Sequence, residues 1–69
     1  MINIINTEII RNKRIEKGLP QRAIGAILDI DQSKVSNIEH GKKDLKFSEA
    51  VRLAEFLGIS TLDLVRKQS

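Results

Sequence analysis

The chain has no cysteine, no tryptophan and no tyrosine, and among its 69 residues there are only one histidine, one proline and two phenylalanines. Without cysteine there is no disulfide framework and no thiolate metal site, and His40 alone does not assemble a metal centre without several carboxylates beside it. No metal and no cofactor is expected, and a reducing cytoplasm suits such a chain. No apolar run approaches the roughly 20 residues of a membrane span, and the lead from Met1 to Ile5 is too short for the apolar part of a secretion signal. A soluble cytoplasmic protein without membrane contact is therefore expected. There is no nucleophile–base–acid constellation and no glycine-rich phosphate loop, and so small a chain leaves little room for a substrate pocket. Enzymatic activity is not expected.

Residues 1–69 suffice for one small domain, which buries only a modest fraction of its surface and gains from contact with a partner. The net charge is +3, and it is unevenly placed: Met1 to Lys46 holds nine basic and six acidic residues, Phe47 to Ser69 three of each. The cationic excess thus lies in the first two thirds of the chain, where an anion-binding face would draw on it.

That part contains the stretch around which the chain is organised, Leu19 to Gly41. Ile24, Ile27 and Leu28 fall at i, i+3 and i+4, one face of a helix. Val35 and Ile38 do the same further on, while Gln32, Ser33, Lys34 and Asn37 point elsewhere, so the second helix is fastened by one edge and offers the rest outward. Asp29-Ile30-Asp31 between them allows a sharp corner, because Asp tolerates a left-handed residue and Asp31 is able to cap the next helix. The pattern is a helix-turn-helix over residues 21–40.

Before it, residues 1–5 form a short apolar arm. Ile2, Ile5 and Ile9 share a stripe if the first helix starts early, whereas Ile2 and Ile4 share a face if the lead is extended. Such an arm either packs on its own domain or joins a dimer. Asn6 or Thr7 caps a helix running to about Lys17, with Gly18 as its left-handed stop. After the motif comes the basic loop Lys42-Lys43-Asp44-Leu45-Lys46. Phe47, Ala50, Val51, Ala54 and Leu57 then recur at helical spacing, and Gly58 ends that fourth helix. Ser60 and Asp63 have the spacing of a capping box for a fifth helix ending near Arg66 or Lys67. No strand-like alternation occurs beyond the first few residues. The expected fold is all-α, with five short helices.

Gly18-Leu19-Pro20-Gln21, Ile24, Ser33 through Lys42 and Leu53 through Ser60 together resemble the Cro/C1-type helix-turn-helix domain of phage repressors and small bacterial regulators. The resemblance implies a compact lambda repressor-like fold in which helices two and three form the motif. Pro20 stands where the family carries a capping Ser, Thr or Asn, Gly25 where it prefers alanine, and Asp29 where it has a turn glycine. These departures touch local stability and the angle between the helices.

The resemblance also implies double-stranded DNA as the partner, read by the second helix of the motif in the major groove. Gln32, first after the cap, is able to pair bidentately with adenine; Ser33 bonds any base; Asn37 lies further along the exposed face, and Lys34 reaches a base or a phosphate. The plain alternative for each is a solvated helix residue. Gln21 matches the family glutamine that holds a phosphate, and Arg22, Ser36, Lys42, Lys43 and Lys46 are the other backbone-contact candidates. Arg14 and Glu39 occupy the positions of a family ion pair, a structural role. His40 reads as a helix-end residue, with a phosphate contact as the lesser alternative. Because one such helix reads only a few base pairs, a homodimer is expected, and Phe56, Ile59 and Leu62 are its candidate contacts, set against ordinary core packing for Phe56 and Leu62. A dimeric repressor is the leading expectation. An antitoxin-like protein that binds a toxin or other protein partner and regulates its own operon is the alternative.

Overall fold

The computed structural model describes residues 5–65. Within them the chain forms five helices, α1 (Thr7–Glu16), α2 (Gln21–Leu28), α3 (Gln32–Glu39), α4 (Phe47–Leu57) and α5 (Thr61–Leu64), and no strand. Met1 to Ile4, and the expected end of the last helix at Arg66 or Lys67, lie outside the described residues.

Every helix contributes to one core. Ile10, Ile24, Val35, Ile38, Leu53, Leu57 and Leu64 are its largest fully buried side chains. α3 packs chiefly on α2 and α1, while α4 closes the far side against α1, α2 and α5. Ile5 belongs to this core as well, so the end of the apolar lead packs on its own domain. The next residue joins the two ends of the described chain, since the Asn6 N–H donates to the Leu64 carbonyl at 2.6 Å. Asn6 is the residue before the helix but makes no side-chain cap, and Thr7 is already helical and buried.

The helix ends follow from local chemistry. At the end of α1 the Leu19 N–H donates to the Arg14 carbonyl and the Gly18 N–H to that of Ile15, a Schellman pair that requires the left-handed Gly18. At the end of α3 the Lys42 and Gly41 N–H groups do the same with Asn37 and Ile38. α2 ends on Asp29, at φ 58°, the only non-glycine residue with positive φ among those described. α3 starts on Asp31, whose carboxylate accepts the Lys34 N–H at 2.9 Å.

Two expectations need correction. Phe47 is 58% exposed rather than part of the core stripe of α4, which runs through Ala50, Leu53, Ala54 and Leu57. As the first residue of its helix Phe47 overhangs the core, and Leu45, just ahead of the cap, is buried instead. Leu45 and Ala50 stand at the two positions of a hydrophobic staple, with Glu49 accepting the Lys46 N–H at 2.9 Å. At α5 a simple N-cap replaces the expected box: the Ser60 hydroxyl accepts the Leu62 N–H at 3.2 Å, and the Asp63 N–H donates to the Ser60 carbonyl instead of its hydroxyl.

Candidate functional site

The geometry of α3 is set by a buried ion pair behind it. Glu39 falls one residue after Ile38 on the inward side of the helix, and its side chain is 1% exposed. A bare carboxylate there would be costly, so its partners matter. Arg14 of α1 meets it in a fork, Nε to Oε2 at 2.7 Å and Nη2 to Oε1 at 3.0 Å. The remaining Arg14 nitrogen, Nη1, donates to the Leu19 carbonyl at 2.8 Å, tying the α1–α2 connection to the same group. The pairing expected for Arg14 and Glu39 is thus formed, and it joins α1, α3 and the loop before α2.

A second line of contacts leads from that pair to the surface. The Gln21 amide donates through Nε2 to Glu39 Oε1 at 3.2 Å. Because a carboxylate only accepts, this fixes which way the amide faces and turns Gln21 Oε1 toward α3. Gln32 Nε2 donates to that oxygen at 3.4 Å. Gln32 retains one amide hydrogen and its own carbonyl oxygen, the donor and acceptor required to pair with adenine N7 and N6. Sequence reading placed Gln21 and Gln32 in separate roles and missed that they touch. The available signal was that each glutamine opens one helix of the motif.

Gln32, Ser33, Lys34 and Asn37 are exposed and Ser36 is half-buried, so the outward face of α3 is polar from its first turn onward. At 3.6 residues per turn, Ser33, Asn37 and His40 lie opposite Val35 and Ile38. Arg22, Lys42, Lys43 and Lys46 are exposed and form no ion pair among the described residues. The cations of α1 differ: Lys13 bonds Glu16 at 3.0 Å and Arg11 lies 3.9 Å from Glu8. Of the described cations without an ion pair, Arg22, Lys34, Lys42, Lys43 and Lys46 lie on the motif and the loop that follows it, and Lys17 and Arg52 lie elsewhere.

The α2–α3 corner has a tight internal constraint. A Cβ added to Gly25 would lie 2.5 Å from the Ile30 carbonyl oxygen, while the Ile30 N–H donates back to the Gly25 carbonyl at 2.9 Å. Gly25 is buried between the two helices of the motif and sets how closely they approach.

A family model described as helix-turn-helix matches residues 10–64, which contain both helices of the motif, the ion pair and the basic loop. The chain belongs to the Cro/C1-type helix-turn-helix family. This helix-turn-helix protein is thereby a DNA-binding transcription regulator, with double-stranded DNA as its partner. No curated protein shows a match to it. Among its described residues no helix is long and apolar enough to cross a membrane, and no group of His, Cys, Asp and Glu side chains is placed to hold a metal ion.

Away from the motif, the helix-turn-helix protein exposes apolar side chains at the α4–α5 end. Leu62 is 76% exposed and Phe56 39%, with Ile59 half-buried between them in sequence. Leu64, by contrast, is fully buried.

Proposed function

We propose that this helix-turn-helix protein is a small dimeric repressor that reads a two-fold operator through α3. The observation that carries the reading is the hydrogen-bonded chain from Arg14 and Glu39 through Gln21 to Gln32, which holds the first side chain of α3 in a defined orientation. Pre-orientation lowers the entropy lost when that side chain meets a base. In this reading Gln32, Ser33, Asn37 and Lys34 face base edges, while Gln21, Arg22, Ser36, Lys42, Lys43 and Lys46 contact the phosphates that set the register. Residues 1–69 act as one domain, at the nucleoid in the cytoplasm, by binding rather than catalysis.

Dimerisation through Phe56, Ile59 and Leu62 completes the reading. An exposed leucine and phenylalanine at one end of a small domain favour a second copy there. Two copies related by a two-fold axis would place their α3 helices about one turn of DNA, roughly 34 Å, apart. Selection of bound duplexes from a random library tests this directly. Enrichment of a palindrome with half-sites about one turn apart is the expected result. Failure to enrich any sequence with folded protein would overturn it. The same exposed Leu62 also serves an antitoxin-like reading, in which a partner protein covers it. Co-purification of one stoichiometric protein, with loss of the complex on Leu62→Glu, would favour that reading.

A further inference from the structure

His40 is the single imidazole of the chain and forms the exposed C-cap of α3. It shares the outward side of that helix with Ser33 and Asn37. Its Nδ1 lies 2.8 Å from the carbonyl oxygen of Ser36, one turn earlier, and the Ser36 hydroxyl is 3.5 Å from the same nitrogen. A carbonyl oxygen has only lone pairs to offer, so Nδ1 carries the hydrogen. In the neutral ring this leaves Nε2 as a bare acceptor. A phosphate oxygen is an acceptor as well, and the two have no hydrogen to share until Nε2 takes up a proton.

We propose that His40 contacts the DNA backbone through protonated Nε2, so that DNA binding by this protein is coupled to proton uptake at α3. The inference rests on α3 lying along DNA as set out above. The Ser36 carbonyl favours the coupling: while Nδ1 donates within the helix, the hydrogen offered to a phosphate is one added from solvent.

The surrounding charges suit an anion at this position. Lys42 and Lys43 follow His40 in the chain and are exposed, and the Lys42 N–H is bonded to the Asn37 carbonyl, which keeps the start of that loop against the end of α3. Lys34 lies on another side of α3. The nearest carboxylate in sequence, Glu39, faces inward and is taken by Arg14 of α1 and Gln21 of α2, while Asp44, exposed in the same loop as the two lysines, forms no ion pair. Among the described residues no carboxylate pairs with His40.

The test compares the parent chain with His40→Gln, whose amide offers a donor without titrating. Both are titrated onto a mixed-sequence duplex of about 20 base pairs at fixed ionic strength from about pH 5.5 to 8. A mixed duplex suffices because a phosphate contact is independent of sequence. Affinity of the parent is expected to fall about three- to tenfold more across that range than affinity of His40→Gln. Calorimetry in buffers of different ionisation enthalpy should show extra proton uptake by the parent. Equal pH profiles for the two chains would overturn the proposal. A steeper rise in affinity with pH for the parent would also overturn it, and would assign neutral Nε2 to a base amino group instead. If neither chain bound duplex at any pH while both remained folded, DNA binding along α3 would fail together with this inference. Binding with equal profiles defeats the inference alone.

Discussion

Gly25 and Ile30 approach so closely that any Cβ at residue 25 would meet the Ile30 carbonyl oxygen at 2.5 Å. The contact is with backbone, which cannot rotate away as a flexible side chain would. Alanine is the better helix former by up to about 1 kcal/mol, so propensity alone predicts that Gly25→Ala stabilises α2. The clash decides the other way. Gly25→Ala is expected to destabilise by about 1–3 kcal/mol, and thermal unfolding followed by circular dichroism checks the sign. A higher melting temperature would show that the corner opens freely.

Asp29 offers the opposite case. It adopts φ 58° and is exposed, and left-handed backbone costs an L-residue with a Cβ roughly 1 kcal/mol or more relative to glycine. Asp29→Gly is expected to raise stability by up to about 1 kcal/mol, a shift of several degrees in a domain of this size. A fall in melting temperature would reveal a compensating role for the Asp29 carboxylate.

Glu39 accepts from Arg14 twice and from Gln21 once while being nearly inaccessible to water. Its removal strands the Arg14 guanidinium and frees the Gln21 amide. Glu39→Ala is expected to cost about 3–5 kcal/mol in denaturant unfolding. An unchanged midpoint would mean that the pair contributes nothing to the fold.

Base and phosphate contacts are separable by their dependence on sequence and salt. Gln32→Ala should lose about 1–3 kcal/mol on the selected operator and relax preference at one position in each half-site. Lys43→Ala should weaken binding to all duplexes and flatten the logarithmic salt dependence by about one unit. Equilibrium binding at several salt concentrations distinguishes them. Equal losses on operator and on unrelated DNA for Gln32→Ala would remove its reading role.

Leu62 holds a large apolar side chain 76% exposed, and Phe56 and Ile59, at the end of α4 and just after it, are partly exposed. Leu62→Glu is expected to leave folding intact, since the residue packs on little, and to shift the chain toward monomer. Analytical ultracentrifugation across a range of concentrations gives the answer. A mass that is the same for parent and variant at every concentration would exclude this patch as the dimer contact.

Much of the molecule follows from the order of its residues. The 3.6-residue spacing of Ile24, Leu28, Val35 and Ile38 dictates two amphipathic helices, because only that period places all four on buried faces. Gly18, Asp31 and Gly58 mark helix ends through short-range chemistry: two supply left-handed backbone and one a carboxylate for a free N–H. The motif was legible for the same reason, and its family from the resemblance of Gly18 to Gln21, Ser33 to Lys42 and Leu53 to Ser60.

Packing decided the rest. Phe47 satisfies the helical period but, in the first turn of α4, stays exposed, while Leu45 in the preceding loop is buried in the core. Periodicity describes a helix in isolation and carries no information about where its neighbours end. Gly25 reads locally as a weak point of α2, yet the approach of Ile30 makes it a requirement. The link from Glu39 through Gln21 to Gln32 spans three residues from two helices, and the Ser36 carbonyl selects which imidazole nitrogen of His40 is left outward. Sequence determined which residues were available for the site. The tertiary structure decided their orientation, because a hydrogen bond depends on which atoms meet at about 3 Å, and no one-dimensional spacing fixes that.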